Sequence, residues 1–203
     1  HAFGPQDVNT KNAIRNMDGM LQDLWDNVQN GPRKDSVNLI VVSDHGMTMV
    51  TPERKIECRK YLKPYWFDRI EGNLPAQIYC KKQYIDSVYN ALKDIPHQRV
   101  WRRNEIPAYL HYDSNKNIGD VVVSPDEGWL VYDQEVTTGG MHGYDPEYSD
   151  MHAIFRAMGP DFKKTEIPHF RNVDIYDLMC HLLNITPAKN DGNLEEIKSI
   201  LKN

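Results

Sequence analysis

The stretch NLIVVSDHGM, residues 38–47, limits the possible folds of this chain more than any other feature. Its apolar part is nearly continuous and rich in β-branched residues, which favours a strand buried on both faces, as in a parallel sheet flanked by helices. The run stops abruptly at Asp44 and His45. Because open α/β sheets bind their ligands beyond the carboxyl ends of the strands, these two side chains are candidates for a functional site.

A long amphipathic helix is predicted over residues 8–28. Its apolar residues recur at steps of three and four, which gives one stripe along the helix. The members of the stripe are Ile14, Met17, Leu21, Leu24, Trp25 and Val28. Asn9 or Thr10 is expected to cap the start, and residues 30–32, Asn-Gly-Pro, to end the helix. Gly19 inside the helix predicts a close packing partner at that point, because glycine costs about 1 kcal/mol relative to alanine there.

The remaining pattern alternates strands and helices, which is typical of the α/β class. Short strands are predicted at PAQIYC, RVW, AYLHY, DVVVSP, GWLVY and HAIFRAMG. Helices are predicted at YIDSVYNALKDI and VDIYDLMCHLLNI, the second with Asp174 near its start. No internal repeat or low-complexity linker divides the chain.

Two further histidines share the glycine-rich setting of His45. His142 lies in TTGGMHGYDP, residues 137–146, which is predicted to be a loop able to hold a metal or a phosphate, and His1 precedes Gly4 and Pro5. A carboxylate and an imidazole from adjacent residues suit a borderline divalent ion such as zinc. Alternatively, Asp44 caps a turn and His45 is an exposed loop residue. The other five histidines are expected to be surface or structurally satisfied residues: His97, His111, His152, His169 and His181.

Composition excludes several classes of function. A net charge of −5 and the lack of a long basic tract argue against binding of a nucleic-acid polymer. The short basic cluster of Arg99, Arg102 and Arg103 is expected to be a solvated face. No run approaches the ~20 apolar residues of a membrane span. The three cysteines have no paired spacing, and none is assigned to a metal.

Several motifs occur in a characteristic order. HxxGP at the start is followed by MDGML, by VNLIVVSDHGM, by GMHGYDPEYSDMHAIFRAMGPDFK and by NVDIYDLMCHLLNITPAKNDG. In this order they resemble the C-terminal part of the catalytic domain of the nucleotide pyrophosphatase/phosphodiesterase family, within the alkaline phosphatase superfamily. The resemblance implies an alkaline-phosphatase-like, mostly parallel sheet flanked by helices, here incomplete because the N-terminal half is absent. Residues 1–203 would be the C-terminal portion of a single catalytic domain.

The resemblance also implies a two-zinc hydrolase of phosphodiester or pyrophosphate bonds. His1 and His142 match ligands of one zinc, and Asp44 and His45 match ligands of the other. The family's nucleophile, a Thr or Ser, belongs to the N-terminal half, so no catalytic residue is assigned here. We therefore expect the chain alone to be inactive and to bind metal more weakly than an intact domain. Tyr144 and Asp145 either orient the loop of His142 or are ordinary turn residues.

The implied partners are a small phosphodiester or nucleotide substrate, and either the missing N-terminal half or a second copy at the exposed sheet edge. The resemblance implies an extracytoplasmic location, periplasmic or secreted. The alternative to an enzymatic function is that the chain is a non-catalytic α/β remnant, or a partner-binding module, that binds metal weakly.

Overall fold

The computed structural model describes residues 1–112, 115–132 and 135–202, and they form a mixed α/β arrangement, as the sequence predicts. The helices are α1 (Val8–Asn30), α2 (Ile85–Leu92) and α3 (Asp174–Leu182). The strands are β1 (Leu39–Val42), β2 (Thr48–Val50), β3 (Lys55–Ile56), β4 (Phe67–Glu71), β5 (Ala76–Cys80), β6 (Gln98–Arg102), β7 (Val121–Pro125), β8 (Leu130–Val131), β9 (Gly139–Met141) and β10 (Phe155–Met158). None of the described helices combines the length and the apolar character needed to span a membrane.

The chain divides into two compact units. The first contains His1–Asn16 and Ser43–Ile154, and the second contains Met17–Val42 and Phe155–Asn203. The main sheet of the first unit has the strand order β4-β5-β7-β6, and all of its pairs are antiparallel. Two short ladders accompany it, an antiparallel one between β2 and β9 and a parallel one between β3 and β8.

The core of the first unit lies between the main sheet and α2. Val88 and Leu92 are four residues apart on α2, so both face the sheet, and both are fully buried. They pack with strand residues such as Ile78 and Val121, which are also fully buried. The predicted strands PAQIYC, RVW and DVVVSP and the first of the two predicted shorter helices are therefore confirmed.

The second unit is built around β1, β10 and α3. β1 pairs with β10, and the core beneath them includes Leu178 of α3 and Ile197. Asp174 begins α3 and is fully buried, and its carboxylate accepts the backbone N–H of Arg171 at 3.2 Å. The predicted C-terminal helix is thus confirmed, and its buried acid satisfies a backbone N–H of the segment that leads into the helix.

The direction of pairing at β1 differs from the sequence expectation. Among the described residues its partner is the antiparallel β10, with Leu39 opposite Met158, and Val42 is 47% exposed. The expectations of a parallel neighbour and of burial on both faces are therefore wrong for β1 within these residues. A continuous apolar run indicates that a strand is suited to burial, but it carries no information about the direction of the neighbouring strand.

The predicted strand AYLHY is also wrong. Ala108–Leu110 form a 3₁₀ helix, closed by hydrogen bonds from Leu110 N–H to Pro107 O and from His111 N–H to Ala108 O. Pro107 precedes the turn in an extended conformation, with ψ of 133°, and His111 ends the turn in the left-handed conformation, with φ of 49°. Local turn chemistry therefore outweighed the apolar alternation in this segment.

Helix α1 begins at the predicted residue and ends at the predicted Asn-Gly-Pro stop. Its capping residue and its packing differ from the prediction. Asp7 caps the helix, because its carboxylate accepts the backbone N–H of Asn9 at 2.7 Å, whereas Thr10 donates its hydroxyl to Gly4 O. No described heavy atom outside the helix backbone lies within 4 Å of a Cβ placed on Gly19, so the described residues do not supply the expected packing partner. The apolar stripe is largely solvent-exposed, with Met17 at 59%.

Candidate functional site

The Asp-His pair lies in a turn between β1 and β2. Ser43 continues the chain from β1, and it exchanges two hydrogen bonds with Ile154: its N–H donates to Ile154 O, and its Oγ accepts Ile154 N–H at 3.1 Å. The turn is fixed further by Gly46, whose N–H donates to Met151 O at 2.9 Å. The two candidate ligands are therefore presented from a backbone that is anchored on both sides.

A strand pair that the sequence did not predict brings His142 to this turn. The loop TTGGMHGYDP contains β9, and β9 pairs with β2 so that Met141 lies opposite Thr48. His142 therefore follows β9 at the level where the Asp-His turn leads into β2. The rings of His45 and His142 are stacked, with centroids 3.5 Å apart and an interplanar angle of 17°. The predicted gathering of residues 44, 45 and 142 is thus present in the structure.

His1 joins the same group through the glycines of β9. Its carbonyl accepts the N–H of Gly140 at 2.7 Å, and its ring Nδ1 lies 3.1 Å from Gly140 O. A Cβ on Gly139 would lie 2.5 Å from His1 O, so only glycine allows this approach. The rings of His1 and His142 have centroids 5.0 Å apart. Gly139 and Gly140, shortly before His142, therefore allow the backbones of β9 and His1 to approach closely.

The hydrogen bonds of two imidazoles set their tautomers. His45 Nδ1 lies 2.7 Å from Gly46 O, and a carbonyl can only accept, so Nδ1 carries the proton and Nε2 presents a lone pair. The same argument applies to His1, whose Nδ1 faces Gly140 O. A backbone carbonyl that holds the other ring nitrogen is the usual arrangement for a histidine that ligates a metal.

Asp44 and His45 have the spacing of two ligands of one zinc ion. His45 Nε2 and Asp44 Oδ2 are 3.4 Å apart, and two ligands of a tetrahedral zinc at about 2.0–2.1 Å are about 3.3 Å apart. Among the described residues no group of three or more His, Cys, Asp or Glu side chains is arranged to hold an ion. Within these residues, therefore, neither the pair Asp44 and His45 nor the pair His1 and His142 is joined by a third ligand.

The electrostatics of the site favour the neutral, ligating form of His142. Burial lowers the pKa of its imidazole, and the neighbouring His45 lowers it further against the opposing effect of Asp44. A neutral imidazole keeps a lone pair for a metal. Asp44 itself is 84% exposed at its side chain, so its carboxylate is accessible to a ligand.

His97 illustrates a histidine with a structural role. Its ring stacks on Trp129 with centroids 3.8 Å apart, and its Nδ1 lies 3.7 Å from Asp126. It is therefore a satisfied residue, as expected. Among the cysteines, Cys58 and Cys180 are buried, and Cys80 is partly buried.

Asp145 has a network of partners that the sequence did not predict. Its side chain is 2% exposed and pairs with Arg99 Nη1 at 2.8 Å, and the hydroxyl of Tyr109 donates to the same oxygen, Oδ2, at 2.5 Å. The side chain of Arg99 is 37% exposed, so it is partly solvated as expected, but its guanidinium is also held by a buried carboxylate. The sequence carried no signal for these two contacts, since Arg99 and Tyr109 precede Asp145 by 46 and 36 positions.

Comparison with known proteins gives the context of the site. Residues 1–145 match the model of the family described as type I phosphodiesterase / nucleotide pyrophosphatase. Rat ectonucleotide pyrophosphatase/phosphodiesterase family member 7 is 31% identical over 212 residues, covering 100% of this chain and 48% of the rat protein. The solved structure of human family member 5 has a TM-score of 0.92 at 33% identity, covering 100% of this chain and 55% of that chain.

A second solved structure, of an inactive variant of murine family member 5 in complex with AMP, has a TM-score of 0.89 at 34% identity, again with 100% and 55% coverage. The chain thus spans about half the length of the relatives that it matches. The likeness confirms the alkaline-phosphatase-like α/β class and the incompleteness of the domain relative to those structures.

Proposed function

The chain belongs to the type I phosphodiesterase / nucleotide pyrophosphatase family, and from this premise we propose that it contributes part of a two-zinc centre that hydrolyses phosphodiester or pyrophosphate bonds. The observation that carries the proposal is the stacking of His142 on His45, with His1 beside them, although these residues are far apart in the sequence. Three imidazoles and an exposed carboxylate in one place are the donor types that zinc uses in hydrolases.

The residues of this chain have defined roles in the proposed centre. Asp44 and His45 hold one ion, and His1 and His142 hold the other. Zinc, when bound, supplies positive charge that stabilises the phosphoryl oxygens and lowers the pKa of a coordinated nucleophile. The Nδ1 contacts of His45 and His1 with backbone carbonyls leave Nε2 as the ring nitrogen available to a metal in each residue.

The nucleophile is proposed to lie in a part of the catalytic domain that these 203 residues do not include. Phosphoryl transfer needs an attacking group as well as charge stabilisation. The chain alone is therefore expected to show no useful hydrolysis. The substrate is proposed to be a nucleotide or a related small phosphodiester, which is supported by the AMP in the murine relative. An extracytoplasmic location is proposed, supported by relatives named ectonucleotide enzymes.

Zinc titration of the chain tests the metal assignment. We expect zinc to bind, with the dissociation constant raised about 10-fold or more in His142→Ala and His45→Ala, because each removes one of few ligands. His181→Ala is the matched control, since His181 is an exposed histidine of α3 in the other unit, and it should bind zinc like the wild type. Equal affinity in all four proteins would refute the assignment.

Activity measurements test the reaction. The chain alone should not turn over p-nitrophenyl-TMP, whereas a longer polypeptide that also carries the family's N-terminal half should. Turnover by the chain alone would refute the external nucleophile, and inactivity of the longer polypeptide with zinc bound would refute the hydrolase.

The alternative function, a non-catalytic α/β module with weak metal binding, is favoured by one observation. Among the described residues no three candidate ligands converge on one ion position. A longer polypeptide that binds zinc no more tightly than this chain would support the alternative, because completing the domain would then add no ligands.

A further inference from the structure

The two stacked histidines are connected by a short segment, residues 145–151. Tyr148 N–H donates to Asp145 O at 3.1 Å, and Met151 N–H donates to Tyr148 O at 2.9 Å. Gly46 N–H then donates to Met151 O at 2.9 Å. A continuous series of backbone hydrogen bonds therefore runs from the loop that carries His142 to the residue that follows His45.

The carboxylate of Asp145 fixes this segment to the main sheet of the first unit. One oxygen accepts from Arg99 Nη1 of β6, at 2.8 Å, and from the Tyr109 hydroxyl of the 3₁₀ helix Ala108–Leu110. The other oxygen accepts the backbone N–H of Glu147 at 3.0 Å. Charge-assisted hydrogen bonds to a buried carboxylate are among the stronger ones, and breaking such a pair leaves a buried charge without compensation.

We propose that Asp145, together with its donors Arg99 and Tyr109, is a positioning residue that holds His142 against His45. The proposal deepens the proposed function, because this ring arrangement is the one that presents the paired ligands. Asp145, Arg99 and Tyr109 are not metal ligands themselves. They act on His142 only through the backbone of segment 145–151. Without them the segment keeps its own turn, but it loses its attachment to β6 and to the 3₁₀ helix.

A second buried acid of the chain provides a matched control. Asp174 is fully buried and pairs with Arg171 Nη2 at 3.0 Å, and it also accepts backbone N–H groups from Arg171 and Asn193. It lies in the other unit and takes no part in segment 145–151. Asp174→Asn should therefore reproduce the general loss of stability of Asp145→Asn without moving either histidine.

The test measures the ring contact directly in the metal-free chain. Stacked rings with centroids 3.5 Å apart should give a nuclear Overhauser effect between the carbon-bound protons of His45 and His142. We expect Asp145→Asn to reduce its intensity several-fold and Tyr109→Phe to reduce it less, with Asp174→Asn unchanged. Arg99→Lys, which keeps a cationic donor, should retain more intensity than Arg99→Met.

Zinc titration of the same proteins is the second readout. Loss of partners that orient metal ligands typically weakens binding 10–100-fold, so Asp145→Asn should fall in that range and Asp174→Asn should match the wild type. Tyr109→Phe decides the question if Asp145→Asn does not fold, because Tyr109 is 44% exposed and its ring can remain in place. A wild type that shows the ring contact but binds no zinc would refute the proposed function alone. Unchanged ring contact in Asp145→Asn and in Tyr109→Phe would overturn the positioning role.

Discussion

The substitution Gly46→Ala tests how tightly the Asp-His turn is held. A Cβ at this position would lie 2.0 Å from Asp150 O, 2.8 Å from Asp150 C and 2.8 Å from His152 O. Real Cβ contacts under 3.0 Å essentially never occur, so the two backbones must separate by at least 1.0 Å. All three atoms belong to the backbone and cannot move aside as a side chain would.

The expected cost follows from two contributions. Overpacking against a backbone that yields only partly costs about 1–3 kcal/mol. Separation also breaks the 2.9 Å hydrogen bond from Gly46 N–H to Met151 O, which contributes about 0.5–1.5 kcal/mol. Together these predict a loss of about 1.5–4.5 kcal/mol, which for a chain of this size lowers the melting temperature by about 3–18 °C.

Thermal unfolding followed by circular dichroism measures this effect, and Gly19→Ala is the control. No described atom lies within 4 Å of a Cβ at Gly19 outside the helix backbone, so this change should raise stability by up to about 1 kcal/mol through helix propensity. Gly46→Ala should also weaken the ring contact between His45 and His142. A melting temperature within about 1 °C of the wild type, with the ring contact intact, would refute the argument from close approach.

Three further predictions concern ionisation. His45→Ala should raise the pKa of His142 in an NMR titration, because it reduces the burial of that ring and removes the neighbouring imidazole; an unchanged pKa would contradict this cause. Burial alone would raise the pKa of Asp145, but the hydrogen bonds from Tyr109 and Glu147 N–H and the charge of Arg99 lower it overall. Its stabilisation should therefore be complete above the unfolded pKa of about 3.9 and be lost as the pH falls through the lower folded value, so the melting temperatures of wild type and Asp145→Asn should converge only below about pH 3.9. Burial, with smaller effects from nearby carboxylates, raises the pKa of Cys80 to about 12, so native Cys80 should resist iodoacetamide at pH 8, and rapid alkylation would contradict its burial.

The parts of the fold that the sequence predicts correctly are those with a strong local pattern. The spacing of Val88 and Leu92 identifies α2 and its buried face, and the valine run of β7 identifies a central strand. Each pattern extends over several residues, and packing against one core enforces it. The strand error at AYLHY arose where Pro107 and a left-handed residue, His111, set a turn that apolar alternation does not report.

The two strands that assemble the site could not be predicted in this way. β2 and β9 are three residues each, and β9 contains two glycines, so neither has a side-chain pattern. Their pairing joins residues about 90 positions apart, which a periodicity within one segment cannot encode. Motif order identified His142, Asp44 and His45 as a group, whereas Arg99 and Tyr109 became visible only once the structure brought them to Asp145. Zinc ligation by Asp44, His45 and His142 stays a prediction.

Helix α1 and the candidate metal ligands both lack partners among the described residues. A periodic apolar stripe indicates that a helix has a face to bury, but it does not identify what covers that face. Here Ile14, Met17 and Leu24 are each at least half exposed, and the site offers two ligands to each proposed ion where tetrahedral zinc takes four. The exposed apolar face of α1 and the incomplete ligand sets have one explanation if the remaining half of the family's catalytic domain packs on α1 and supplies the other ligands. A second copy of this chain could cover an apolar face, but it would bring only the same ligand pairs, so the longer polypeptide proposed for the activity measurements separates the two arrangements.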